Sequence, residues 1–256
     1  MEQFGNLYSQ YYDLLYQDKD YLAEVDYVDN LVQEFGRGNS KTMLDLGCGT
    51  GKHAEIFCDQ GYKVHGVDLS KEMLKEAEKK RHSREDRLSF SLSNISSLAL
   101  SERFDVVVSL FHVVSYQNSN KDLIKTFEVA RDHLNKGGVF IFDFWYGPAV
   151  LTDIPSARLK RLENSSIKVT RFAEPVIHPQ ENIVDVNYDV YIENKIDHAN
   201  PIIQKQELHK MRYLFDTELE IICDSVGLSI EKKSVWMCDK KPGLDSWNVV
   251  WVVKKR

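Results

Sequence analysis

The sequence predicts an α/β protein, a doubly wound and mainly parallel sheet with an antiparallel β-sheet inserted late in the chain. Three observations carry that expectation. Strand and helix patterns alternate five times before Pro148, as consecutive parallel strands joined by crossover helices require. A run with three alternating glycines, Gly47-Cys48-Gly49-Thr50-Gly51, joins the first strand directly to its helix. From about Ser165 to Leu214 a two-residue period then replaces the helical one. The expected division is therefore residues 1–148 and 215–256 for the α/β domain and residues 149–214 for an inserted sheet that covers the active site.

Each element has its own signal. A helix is expected from about Tyr21 to Phe35, with Leu22, Val25, Val28, Val32 and Phe35 on one stripe and Gly36 just past its end. Thr42-Met43-Leu44 opens the first strand, and a helix from His53 to Gln60 stops at Gly61. Tyr62 to Val67 reads as the second strand and ends in Asp68. Ser70 is a suitable N-cap for a helix carrying Met73, Leu74 and Ala77. Leu88 to Ser93 is the third strand. Phe104 to Leu110 is the fourth, a near-continuous apolar run suited to burial on both faces. Leu123, Ile124, Phe127, Ala130 and Leu134 form a helix stripe, Asn135 to Gly138 a turn, and Val139 to Asp143 the fifth strand.

In the inserted region Val184, Val186, Tyr188, Val190 and Ile192 alternate with polar neighbours, flanked by strand-like runs Ile167–Phe172 and Ile202–Tyr213. Thr217 with Glu220 is expected to form a capping box, on a helix that ends near Gly227. Ser229–Trp236 and Trp247–Lys254 would close the main sheet.

Composition narrows the function classes. An apolar fraction of 43% and a charged fraction of 28% are those of an ordinary globular protein. A net charge of −6 argues against a nucleic-acid partner, which needs a broad basic face. Met1 to Gly5 offers neither a basic n-region nor an apolar h-region, so no signal peptide is expected, and no membrane partner is expected either, since the longest late apolar run, Val249–Val253, is only strand-sized. Cys48, Cys58, Cys223 and Cys238 make no C-x-x-C pair and read as reduced thiols of a cytoplasmic protein. Cys48 is more simply a small residue filling a tight turn than a nucleophile. No histidine or acid cluster has metal-ligand spacing, so no metal is expected.

The chemistry concentrates at the glycine run. A dinucleotide site wants G-x-G-x-x-G under a pyrophosphate. Here the spacing is G-x-G-x-G and Asp45 precedes it. A carboxylate there suits a cationic ammonium better than a pyrophosphate. Asp68, 17 residues beyond Gly51, ends the second strand where an acid can accept hydrogen bonds from ribose hydroxyls. Asp45-Leu46-Gly47-Cys48-Gly49-Thr50-Gly51 resembles motif I of class I S-adenosylmethionine-dependent methyltransferases. The stretches Tyr12 to Tyr16, Val67 to Leu74, Phe104 to Phe111 and Asp143-Phe144-Trp145-Tyr146-Gly147-Pro148, with the inserted sheet, are similar to nucleotide-sugar N,N-dimethyltransferases of the desosamine and mycaminose type.

That resemblance implies a seven-stranded Rossmann-like sheet and S-adenosyl-L-methionine as cofactor, with S-adenosyl-L-homocysteine as product. It implies that Asp45 and Gly47 hold the methionine end, that Gly49 and Gly51 let the backbone pass close, and that Asp68 binds the ribose. Leu69 and Met73 would pack on adenine, Asn94 and Ile95 would meet its edge, and Tyr12, Leu110 and Phe111 would line the cofactor and substrate side. Asn94 replaces the usual aspartate, and its amide oxygen still accepts. Phe4 stands where the family has tyrosine, Tyr116 where it has a histidine near the substrate amine, and His112 where it tends to have serine. The substrate end is therefore rebuilt.

The expected reaction is methyl transfer to an amino, or else a hydroxyl, group of a nucleotide-linked sugar or similar small molecule in surface-polysaccharide or secondary metabolism. Positioning alone supplies on the order of 7–11 kcal/mol to such a displacement, and a hydroxyl acceptor would also need a general base. His112 is either that base or a histidine packed beside the cofactor. Tyr116 either orients the acceptor or walls the pocket. Asp143 either holds the acceptor or is satisfied by backbone amides. Trp145 and Tyr146 are flat walls or core, and Arg158, Lys160 and Arg161 bind a diphosphate or lie in solvent. The alternatives are a glycine or small-amine N-methyltransferase, for which Arg171 would be essential, and a non-catalytic cofactor-binding partner. A homodimer is the assembly to test.

Overall fold

The computed structural model describes residues 11, 14–16, 19–196 and 202–256. Tyr12 and Phe4 lie outside the described residues. Among these residues the main sheet has seven strands in the order β10-β11-β5-β4-β1-β2-β3. They are β1 (Thr42–Leu46), β2 (Lys63–Asp68), β3 (Leu88–Leu92), β4 (Phe104–Ser109), β5 (Leu134–Trp145), β10 (Leu228–Val235) and β11 (Asn248–Lys255). β1 pairs in parallel with β2 on one side and β4 on the other, so the strand order reverses there. The crevice over the carboxyl end of β1 is the place such sheets offer to ligands. β11 alone runs against the direction of the other six strands, antiparallel to β5 and β10.

Successive residues of the central strands go to opposite faces. Leu44, Leu46, Phe140, Phe142, Phe144 and Trp251 share one buried cluster. Met43, Val139, Ile141, Val250 and Val252 share the other. This period-two division of uninterrupted apolar runs is what a sheet covered on both faces demands. The covering helices are α1 (Tyr21–Phe35), α2 (Lys52–Asp59), α3 (Lys71–Lys79), α4 (Asn120–His133), α5 (Gly147–Thr152) and α6 (Asp216–Val226). Asp20 caps α1 by accepting from the Ala23 N–H, and Ser70 caps α3 by accepting from Met73. Each such cap contributes about 1 kcal/mol.

Three local expectations are corrected. The turn at Asn135–Gly138 is instead the start of β5. Phe104 faces Leu134 and Val106 faces Val139, so the residues between bulge outward, with Gly137 at φ +76°. Thr217 and Glu220 do not form a capping box. The chain enters α6 one residue before Thr217, and Glu218 accepts from the Phe215 N–H at 2.9 Å. Glu220 turns outward to Lys233. The third is an unforeseen strand, β6 (Arg158–Glu163). It is mostly exposed on both faces, which removes the alternation that would have marked it.

β6 pairs antiparallel with β7 (Ile167–His178), β7 with β8 (Ile183–Asn194) and β8 with β9 (Ile202–Arg212). Tyr188 stands opposite Ala173 and Glu207, and Val186 opposite His209. Residues of alternate parity therefore share the face that carries Arg171, Tyr188, Glu207 and His209.

Trp251 is fully buried between Phe142 and Phe144. Its indole nitrogen has no hydrogen-bond partner among the described residues. Trp251→Ala is expected to cost about 3–5 kcal/mol in urea unfolding, whereas Trp251→Phe keeps the packing and costs far less. Equal losses for the two variants would mean that ring volume is not what Trp251 contributes.

Candidate active site

The loop after β1 is built on left-handed backbone. Gly47, Gly49 and Gly51 have φ of +84°, +56° and +76°, a region open to glycine and strained for most side chains. The three glycines do different work. A Cβ on Gly47 would lie 2.4 Å from Val113, and one on Gly51 would lie 2.9 Å from the Phe90 ring and 3.0 Å from Ala77. Gly49 has nothing within 4 Å on that side, so its backbone faces open space. Gly51 thus serves packing of α2 on the sheet rather than the cavity wall.

Asp68 ties this loop to the next one. Its Oδ2 accepts from the Gly49 N–H at 2.9 Å and its Oδ1 from the Ser70 N–H at 2.8 Å. Each carboxylate oxygen keeps a second lone pair for a hydroxyl donor. Asp45 is 2% exposed, and no cation pairs with it among the described residues. Burial, and then the neighbouring Asp68, push its carboxyl up to about 7.

These loops line a cavity of about 360 Å³. Asp45, Gly47, Gly49, Asp68 and Met73 form one end. Leu110, Phe111, His112, Tyr116 and Trp145 form the middle, and Arg171, Tyr188, Glu207 and His209 bring in the face of the second sheet. Phe111 and His112 are consecutive residues with φ of +66° and +61°, and such strain needs support from its surroundings. Asp143, 1% exposed at its side chain, supplies it. Both its oxygens lie 3.2 Å from the His112 N–H, and Oδ2 lies 2.8 Å from His112 Nδ1, off the line of a good hydrogen bond.

Several predicted residues sit elsewhere. Asp143 stands behind the wall and positions His112, because its oxygens are taken by that corner. Tyr146 is buried against Phe144, one residue past Trp145 and so on the opposite face of the strand end. Arg158 is exposed on β6. Leu69 is 67% exposed and outside the cavity lining. Asn94 turns its amide oxygen onto Ser96, at 2.9 Å from N and 3.0 Å from Oγ, and Ile95 is buried in the core.

Other residues enter unforeseen. His53 Nε2 lies 2.7 Å from Glu24, which also binds Lys19, and the Lys19 ammonium lies 3.9 Å from the centre of the Phe111 ring. Glu207 and His209 come from β9, where extending the alternation read on Val184–Ile192 would have found them.

Residues 43–138 match the family model of a methyltransferase domain. An S-adenosylmethionine-dependent methyltransferase from Clostridium acetobutylicum superposes with a TM-score of 0.83 at 25% identity, covering 98% of each chain. With the Rossmann-like sheet and the glycine loop, this chain is an S-adenosylmethionine-dependent methyltransferase. More particularly, it resembles sugar N,N-dimethyltransferases. It is 27% identical over 223 residues to the dTDP-3-amino-3,4,6-trideoxy-alpha-D-glucopyranose N,N-dimethyltransferase of Streptomyces venezuelae, covering 86% of this chain and 89% of that one. It is 25% identical over 228 residues to the dTDP-3-amino-3,6-dideoxy-alpha-D-glucopyranose N,N-dimethyltransferase of Streptomyces fradiae, covering 87% and 84%. No helix among the described residues is long and apolar enough to cross a membrane.

The residues fit the cofactor. A buried carboxylate without a counter-charge, an open backbone at Gly49 and the tethered Asp68 match an ammonium, a close-lying chain and a ribose. The sign of the resulting pH effect follows from Asp45. A cationic ligand requires the ionised form, and that form is scarce below about 7. S-adenosylmethionine affinity by calorimetry is expected to rise by up to about tenfold per pH unit from about pH 5.5 to 7 and then level off. Asp45→Asn is expected to weaken binding and flatten this dependence, and Asp68→Ala to abolish binding. Unchanged affinity in Asp68→Ala would remove the ribose assignment.

Proposed function

We propose that this methyltransferase methylates an amino group of a nucleotide-linked sugar. One observation carries the reading: the second sheet walls the same cavity as the glycine loop and brings Arg171, Tyr188, Glu207 and His209 into it. An acceptor meeting that wall is larger and more polar than a simple amine. The similarity to the two dTDP-sugar dimethyltransferases along most of the chain supports it. In this reading residues 149–214 are a functional insertion that shapes the acceptor end, while residues 1–148 and 215–256 carry the cofactor.

The roles divide along the cavity. Asp45 would face the ammonium of the cofactor's methionine end, Asp68 its ribose, and Met73 its base. The cofactor, when bound, supplies a methyl group on an electron-poor sulfur, ready for displacement. The chain's own task is to hold the acceptor nitrogen in line and keep water out. Phe111 and Trp145 flank His112 and give the acceptor flat apolar surfaces. Arg171, stacked 4.5 Å from the centre of the Tyr188 ring, is the cation on the sheet side for an acidic portion of the acceptor. His112, held by Asp143, is the base a hydroxyl acceptor would require.

Arg171 also favours a second reading. Its Nε is buried without a partner among the described residues, and a small amino acid would present a carboxylate to it. The experiment that decides is S-adenosylhomocysteine release against paired nucleotide sugars, bearing an amine or a hydroxyl at the same carbon, with glycine alongside. Turnover confined to the amino sugars is expected. Turnover of glycine alone would replace the proposed acceptor. Turnover of hydroxyls alone would make His112 the base, with His112→Ala costing roughly 10²–10⁴-fold.

A further inference from the structure

A hydrogen-bonded chain leads from the acceptor end of the cavity into the second sheet. Tyr116 Oη lies 2.8 Å from His209 Nδ1, and His209 Nε2 lies 3.3 Å from Glu207 Oε2. The direction of this chain is fixed by chemistry. An ionised carboxylate only accepts, so Nε2 carries the proton. In a neutral ring Nδ1 must then accept, so the Tyr116 hydroxyl donates to it. The hydroxyl is left with lone pairs and no second proton. Tyr116 lines the cavity and is 43% exposed, so those lone pairs are open to a donor entering from the acceptor side.

We propose that Tyr116, His209 and Glu207 form a proton relay that takes a proton from the protonated acceptor amine. The inference rests on the amino acceptor proposed above. The ammonium N–H bond breaks and its proton goes to Tyr116 Oη. The phenolic proton moves to His209 Nδ1, and the imidazolium so formed sits against the Glu207 carboxylate. The freed lone pair can then form the N–C bond to the incoming methyl as the S–C bond breaks with its electrons left on sulfur. His209 afterwards returns its proton to solvent. Tyr116 is the catalytic residue of the three, and His209 and Glu207 are positioning residues acting through it.

The surroundings suit a transient rather than a standing charge. Although Tyr116 is exposed as a residue, desolvation around its hydroxyl raises the phenol well above its ordinary range, with Tyr16, Tyr188, Glu207 and Asp68 adding to the effect. Tyr116 therefore passes a proton on and does not wait as a phenolate. His209 is faced by Tyr116 from the short 3-10 helix Val113–Tyr116, by the Tyr188 ring on β8 at 5.1 Å, and by Glu207 on its own strand. Arg171 on β7 is one ring further away, over Tyr188, and Lys205 follows on the same face of β9 beyond Glu207. Glu207 is the carboxylate nearest the imidazole, and the cations stand farther off.

His112 stands apart from this chain, with its Nδ1 turned to Asp143 on the corner that follows β4. Both His112 and Tyr116 enter the cavity from the segment that follows β4, and Tyr116 is backed by a side chain of the insertion, His209.

The test compares wild type with Tyr116→Phe and His209→Gln in kcat/KM against pH on an amino-sugar acceptor. At about pH 6, where most of the amine is protonated, both variants are expected to lose about tenfold or more. At about pH 9, where the amine is already neutral, they should recover most of that loss, with S-adenosylmethionine affinity unchanged throughout. A loss of equal size at every pH, or none at any pH, overturns the relay and leaves the acceptor standing. Failure of wild type itself on every amine, with cofactor still bound, overturns the acceptor reading and the relay with it. A second readout needs no turnover. Nitrogen-15 NMR of the cofactor-bound protein should find His209 in the Nε2–H tautomer, and Tyr116→Phe should mix the tautomers. An Nδ1–H tautomer in wild type reverses the chain and overturns the relay.

Discussion

A carboxylate buried at the carboxyl end of β1, with no counter-charge among the described residues, is the constraint from which the proposed cofactor site follows. In the unfolded chain Asp45 would titrate near 4, and in the fold it titrates near 7. Between those values the folded form holds more protons, so the fold loses stability as pH rises toward 7 and stays penalised above it. A protein keeps such a residue only where something else offsets the cost. A cationic ligand does so, and it does so best when water is absent, since the attraction between opposite charges strengthens as the local dielectric falls. The burial that destabilises the free protein is what makes Asp45 discriminate for a cation.

Asp68, half-buried, and Asp143, buried, are carboxylates of a different kind, because each accepts from backbone N–H groups. Asp68 joins the loop after β1 to the start of α3. Asp143 joins the end of β5 to the left-handed pair Phe111–His112. That corner turns the chain from β4 into the 3-10 helix that carries Tyr116 toward β9. Val113, inside that helix, packs where a side chain on Gly47 would have to go. The cofactor loop, the His112 corner and the Tyr116 contact with the second sheet are therefore mechanically linked. A change at Asp143 would act on all three without touching a ligand.

Most of the main sheet was legible in the sequence because its signals are local. Apolar runs bounded by Gly36, Gly61 and Ser70 gave strands and helices to within a residue or two, and the spacing of Asp45, Gly47, Gly49 and Asp68 picked out residues that line one end of the cavity. The misses have physical causes. β6 is an edge strand exposed on both faces and has no period to read. The Asn135–Gly138 run has turn composition, yet pairing on both sides of β5 draws it into the strand as a bulge. Tyr146 was separated from Trp145 only by the face each takes at the strand end, which composition does not encode. Glu207 and His209 were hidden for another reason. Their partners Tyr188 and Tyr116 are 19 or more positions away, and only the register of β8 against β9 brings the three elements together.

That register leaves the polar positions on the inner face of the second sheet freer to change than the glycine loop. The glycine loop is constrained at every position by backbone geometry, by Val113, Phe90 and Ala77 around it, and by the charge at Asp45. On the inner face of the second sheet, Val169, Val186, Val190 and Ile192 are fixed by core packing, while the polar positions between them are constrained mainly by the two-residue period. Any polar side chain placed at the alternate positions occupied by Arg171, Tyr188, Glu207 and His209 would still point into the cavity, and the main-chain ladder of β7, β8 and β9 would hold it there. Substitutions at those positions alter charge and hydrogen bonding without disturbing the fold. The tyrosine at position 116 and the histidine at 209 make sense as such a pair. The phenol reaches the acceptor end from the main sheet, and the imidazole behind it comes from the insertion. Each is a good proton carrier only because the other is there.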